Sequence, residues 1–223
     1  MTRSPAAAKS PAGPTEQPMG RRERQRQRIR SAILDAALEL FAEQGYAATT
    51  IDQIAERADL ARRTVFNHFP RKRDMLDAWR VERRDLVAAR LGGGGVRRAP
   101  ARRQLELQME VLAKVNEENP RMARVLSLGW LSELGTLESP FPVFESFRDS
   151  VRLGQENGDF RPSVTPETVA EILSAVYTET LHRWLQAHQH TDQPFPLGPA
   201  LRAKLALLLD GLAVPSGLTA PQA

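Results

Sequence analysis

Apolar residues in this chain recur at the three- and four-residue steps of a helix, stretch after stretch, and nowhere in the alternation of a strand. That periodicity predicts an all-α fold. It is strongest in TPETVAEILSAVYTETLHRWLQAHQ, where Thr165 is placed to cap and Pro166 suits the first helical position. Val169, Ile172, Leu173, Val176, Tyr177, Leu181, Trp184 and Leu185 then form a stripe wider than one contact face needs. ALRAKLALLLDGLA is loaded similarly by Leu201, Leu205, Leu208, Leu209 and Leu212. Upstream, RRQLELQMEVLAKVNEENP puts Leu105, Met109, Leu112 and Val115 on one face. RMARVLSLGWLSELG carries Val125, Leu128, Trp130 and Leu131, and FPVFESFRDSVRLGQENG carries Phe144, Phe147 and Val151 before Gly158.

A length of 223 residues accommodates a small domain joined to a larger one. The longest unbroken aliphatic run, Leu205 to Leu209, is far too short to cross a bilayer, and the first residues lack the apolar segment of a secretory signal. The chain has no cysteine, which rules out disulfides and thiolate metal sites. A soluble, cytoplasmic protein is the expectation. Its charge is uneven: residues 1–91 hold 18 Lys and Arg against 12 Asp and Glu, a balance of +6, while the remainder balances at −2. The basic excess makes a polyanion the partner to consider for the first part, although basic stretches also serve simply to solvate a terminus.

That first part has its own punctuation. After a Pro-, Ala- and Ser-rich opening, RRERQRQRIRSAILDAALELFAEQG places Ile29, Ile33, Ala37, Leu40 and Phe41 on one helix face and ends on Gly45, where a left-handed residue is wanted. Thr50 and Gln53 have capping-box spacing at the head of a helix of about two turns. RRTVFNHF then forms another, with Val65 and Phe69 sharing one face. Two short helices joined by three or four residues match a helix-turn-helix, whose second helix enters the major groove. Arg62 and Arg63 fall where base contacts are made, and an arginine fork pairs two-pronged with guanine. Lys72, flanked by Arg71 and Arg73, opens the next helix where it meets the phosphate backbone. The run RRERQRQR reads equally as a solvated tail and as a flexible arm adding nonspecific affinity.

From Arg28 to Leu76 the order of motifs, FAEQGY, then TT three residues before IA, then an Arg-Thr-aromatic segment, HF, Pro and KRDML, resembles the TetR-type bacterial transcriptional regulators. The resemblance implies that Arg62, Arg63, Thr64 and Asn67 face bases or nearby backbone, and that Thr50, Phe66, His68 and Lys72 lie along phosphates. Three positions depart from the family pattern: Asp59 replaces a common Gly, Ala61 a common Ser or Thr cap, and Phe66 a frequent Tyr. Asp tolerates the left-handed turn, and Ala61 leaves the helix start looser. The resemblance also implies a homodimer on a palindromic operator, and a pocket in the central helices whose occupant releases DNA. Met109, Met122, Trp130, Phe141, Phe144, Tyr177 and Trp184 are its candidate lining, and with few buried charges evident the expected effector is a small apolar or aromatic molecule. The corresponding division is a disordered tail over 1–20, a DNA-binding domain over 21–75, a regulatory and dimerisation domain over 76–214 and a tail over 215–223.

Other chemistries find little support. Gly92 to Gly95 lacks the strand before and the Lys-Ser/Thr after that a phosphate loop requires, and reads as a connector. No nucleophile elbow, His-Glu-x-x-His or dinucleotide fingerprint is present, so no enzyme activity is expected. His188 and His190 are two apart and share no helix face, which argues against a metal, and no cofactor is expected. The second reading is a DNA-binding protein of the same fold without an inducer, acting structurally or through a protein partner.

Overall fold

A computed structural model describes residues 20–92, 99–133, 143–190 and 195–212, with side chains through 129 and 211 in the second and fourth segments. Among these residues the elements are helices: α1 (Arg21–Gln44), α2 (Ile51–Arg57), α3 (Arg62–His68), α4 (Lys72–Leu91), α5 (Ala101–Glu118), α6 (Pro120–Glu133), α7 (Phe144–Glu156), α8 (Pro166–His190) and α9 (Leu197–Leu212). The expected tail over 1–20 except for Gly20, the expected tail over 215–223, and most of the glycine connector lie outside the described residues.

The basic run is helical. Arg21 to Arg28 form the exposed first turns of α1, because Arg, Gln and Glu are good helix formers and no Gly or Pro interrupts them. At the other end Gly45 adopts φ 89° and closes the helix with its N–H on the Phe41 carbonyl at 3.1 Å. Thr50 and Gln53 complete the capping box of α2. Arg57 on α2 reaches back to Glu39 at 3.0 Å and Glu43 at 2.9 Å on α1, fixing the angle between the two helices.

Two apolar cores result. In the first, Ile33, Ala37, Leu40 and Phe41 of α1 meet Ile54 and Ala55 of α2, Val65 of α3 with Phe69 just after it, and Met75, Leu76, Ala78 and Trp79 of α4. Val125 and Leu126 of α6 close it from the far side. In the second, α5, α7, α8 and α9 bury Leu105, Met109, Phe147, Leu173, Trp184, Leu201 and Leu205. Helix α4 therefore runs unbroken through the expected boundary at 75/76, its first half in one core and Val87 against the other.

Candidate nucleic-acid interface and adjoining cavity

The turn before α3 is made by Asp59, whose φ of 52° is the left-handed geometry expected of it. Its neighbour Ala61 is the N-cap of α3 and makes no side-chain cap. Helix α3 is held from behind by Val65 and Phe69, 0% and 1% exposed, so its opposite side is turned outward. On that side Arg62, Arg63, Phe66 and Asn67 are exposed, while Thr64 and His68 are half-buried. Arg62 meets Asp52 of α2 at 3.1 Å, an exposed pair of the kind worth at most about 1 kcal/mol and readily exchanged for a phosphate.

Two flanks of basic residues frame this surface. Arg30 of α1 lies 4.6 Å over the Phe69 ring, and Arg26 and Arg30 act on His68. Burial, then those two charges, lower the His68 pKa from its ordinary 6.5, which keeps the ring neutral near pH 7. Thr50 is exposed at the start of α2, its hydroxyl accepting the Gln53 N–H at 3.2 Å. Lys72 is more committed than expected: its Nζ donates to the Tyr46 and Thr49 carbonyls, both at 2.6 Å, and stands 4.7 Å over the Tyr46 ring. It pins the α1–α2 turn, and burial lowers its pKa.

A cavity of about 230 Å³ opens between α4, α5, α6, α7 and α8. Of the sequence candidates, Tyr177 lines it. Met109 and Trp184 do not: each is 2% exposed and packed into the second core, as the density of an α5–α8–α9 interface demands of the largest side chains. Met122 packs against the first core and Phe144 against the second, neither on the cavity wall. The Trp130 side chain and Phe141 lie outside the described residues.

Sequence reasoning missed apolar lining residues such as Val87, Leu112, Phe147 and Leu181, and a set of polar ones. Arg80, Arg83 and Arg84 come from α4, Gln108 and Asn116 from α5, and Thr178 and His182 from α8. Asn116 is 0% exposed; its Nδ2 donates to the Leu112 carbonyl at 2.6 Å and to the Tyr177 hydroxyl at 3.0 Å. Arg83 donates to Asn116 Oδ1 at 2.5 Å. The lining is thus apolar for the most part, as expected, with a polar cluster along α4, α5 and α8 that the expectation did not include. A signal existed: Gln108 and Asn116 interrupt the Leu105–Leu112–Val115 stripe at three- and four-residue steps, where a purely structural helix carries apolar groups.

Residues 33–79 match the family model described as bacterial regulatory proteins, tetR family. The chain is 40% identical over 74 residues to the HTH-type transcriptional regulator TcmR of Streptomyces glaucescens, covering 33% of this chain and only 30% of that relative's length. It is 26% identical over 164 residues, 73% of each chain, to the HTH-type transcriptional repressor KstR of Mycobacterium tuberculosis. Among solved structures, the fatty acid degradation regulator FadR from Bacillus halodurans superposes with a TM-score of 0.68 at 21% identity, covering 81% of this chain and 94% of that one, a likeness of fold.

Proposed function

Because the chain belongs, through residues 33–79, to the tetR family of bacterial regulatory proteins, we propose that it is a repressor that binds a palindromic operator as a homodimer and is released by a small effector in the α4–α8 cavity. The observation that carries the DNA half is the outward side of α3, where Arg62, Arg63, Phe66 and Asn67 are exposed opposite the buried Val65 and Phe69. Two arginines at the start of a groove-entering helix supply guanine readout, and the flanking basic residues of α1 supply sequence-independent attraction.

Support for the effector half comes from α4. Met75, Leu76, Ala78 and Trp79 anchor its first turns in the same core as α3's Val65, while Arg80, Arg83, Arg84, Val87 and Leu91 face the cavity. Leu76 also abuts Gly129 of α6, a helix that gives Leu126 and Ser127 to the cavity wall. A ligand that shifts α4 or α6 shifts the reading head with it, and the two occupancies oppose one another as linked equilibria.

Selection from a pool of random duplexes tests this reading. Enriched sequences carry a two-fold symmetric motif with guanine in each half-site, and the Arg62→Ala/Arg63→Ala variant enriches none. Enrichment of an asymmetric motif, or an unchanged motif with the variant, contradicts it.

A further inference from the structure

The wall that α4 gives to the cavity is charged on one side only. Three arginines line it, and no Asp or Glu does, among the described residues. Two of the three have carboxylates of their own: Arg80 meets Asp77 at 2.8 Å and Arg84 lies 3.7 Å from Asp85. Arg83 does not. It is half-buried, and its guanidinium donates to two neutral oxygens, Asn116 Oδ1 at 2.5 Å and the Tyr177 hydroxyl at 3.4 Å. A guanidinium carries five N–H donors in a planar fork, and those that Asn116 and Tyr177 leave over suit a carboxylate.

A second polar group belongs to residues that line the same space. Gln108 is 6% exposed; its Nε2 donates to Ser150 Oγ at 2.8 Å, but among the described residues its Oε1 has no partner, and neither does the buried Nε2 of His182. Both residues line the cavity. Buried polar atoms are almost always paired, and an unpaired acceptor beside a cavity marks where a ligand's donor belongs. Between these anchors the lining is apolar: Val87, Leu112, Phe147 and Leu181. The volume, about 230 Å³, compares with the roughly 150 Å³ that accommodates benzene, so it fits a single substituted ring.

We propose that the effector is a compact organic monoanion, a carboxylate on an apolar or aromatic body, with its carboxylate on Arg83 and a hydroxyl or similar donor on Gln108. This rests on the reading of the cavity as the effector site and gives the expected apolar or aromatic effector a carboxylate end.

Calorimetric titration of the full chain with benzoate, phenylacetate and para-hydroxyphenylacetate, each beside its neutral primary amide, tests the assignment. At least one acid binds about ten-fold or more tighter than its amide, as a charge-assisted hydrogen bond to arginine requires. Arg83→Gln removes that preference and Arg83→Lys keeps part of it. Since Arg83→Gln also opens the Asn116–Tyr177 network, Asn116→Asp provides a second arm: it sets a carboxylate against Arg83 and excludes the acids while the protein still melts cooperatively. Amides binding as tightly as acids, acids binding Arg83→Gln undiminished, or no acid binding at millimolar concentration each overturn the proposal. A gel shift run in parallel separates the two readings. Amides that bind and release DNA defeat the anion site and leave the regulator reading standing, whereas acids that bind through Arg83 without releasing DNA do the reverse.

Discussion

Individual side chains at the reading head have separable tasks. Arg62 and Arg63 are exposed at the start of α3, and Arg62→Ala or Arg63→Ala is expected to relax base preference by about 1–3 kcal/mol, measured by competition between duplexes. Lys72 acts differently, since its ammonium is held by the Tyr46 and Thr49 carbonyls. Lys72→Ala is expected to lower both the thermal midpoint and the affinity for all duplexes alike, and a variant that loses affinity with an unchanged midpoint would leave the lysine a phosphate contact alone. His68 gives a pH signature. Its folded pKa is depressed below 6.5 by burial and by Arg26 and Arg30, so the unfolded chain takes up the proton first. The stability this contributes is present above 6.5 and is lost as pH falls through the folded pKa. The midpoint of the wild type is expected to drop over that window more than that of His68→Gln. At this scale the special backbone positions were legible in sequence: Gly45, Thr50 and Asp59 each have local chemistry that dictates their geometry. The second job of Lys72 was not, because its carbonyl partners lie 23 to 26 residues away.

Helices carry the next set of consequences. Helix α3 starts on an alanine with no side-chain cap, so Ala61→Ser is expected to stabilise the head by roughly 0.5–1 kcal/mol in denaturant unfolding. No gain would mean that the first turn of α3 is already satisfied in another way. The packing of α7 on α5 depends on Gly154, where a Cβ would lie 2.3 Å from the Phe160 ring and 2.7 Å from Ala101 Cβ. Gly154→Ala is expected to cost about 1–3 kcal/mol, read from the same unfolding curves. Element identity and order followed from hydrophobic period alone, and Pro166, Thr165 and Gly158 punctuated them. What the period could not reveal is which apolar residues fill a core and which border a cavity. Met109 and Tyr177 carry the same signal and both belong to the second core, yet only Tyr177 also lines the cavity, with its hydroxyl bonded to Asn116. That distinction is set by how α4 and α6 lean against α5 and α8, and such a tertiary angle has no local sequence signature.

The whole molecule joins a reading head to a helical body through α4 and α6, and its proposed action requires two copies. Much of the wide stripe on α8 is consumed internally, but Ile172 remains 45% exposed there and Leu207 on α9 is 76% exposed. Leu197, Leu201, Leu205 and Leu209 are buried in the chain's own core, so deleting α9 would unfold the body and test nothing about pairing. Ile172→Glu with Leu207→Glu leaves that core intact and is expected to weaken the dimer at least ten-fold in sedimentation, each buried aliphatic side chain being worth roughly 1.5–3 kcal/mol. An unaltered dimer would locate the interface elsewhere. No helix among the described residues is long and apolar enough to cross a membrane. The central claim is that α3 reads duplex DNA, and it is met most directly by an anisotropy titration of a selected duplex and a scrambled one, with wild type and Arg62→Ala/Arg63→Ala, across a range of salt. The double variant is expected to bind both duplexes equally while retaining a salt-dependent, nonspecific affinity from the α1 arginines. Discrimination between the two duplexes as sharp as that of the wild type would contradict it.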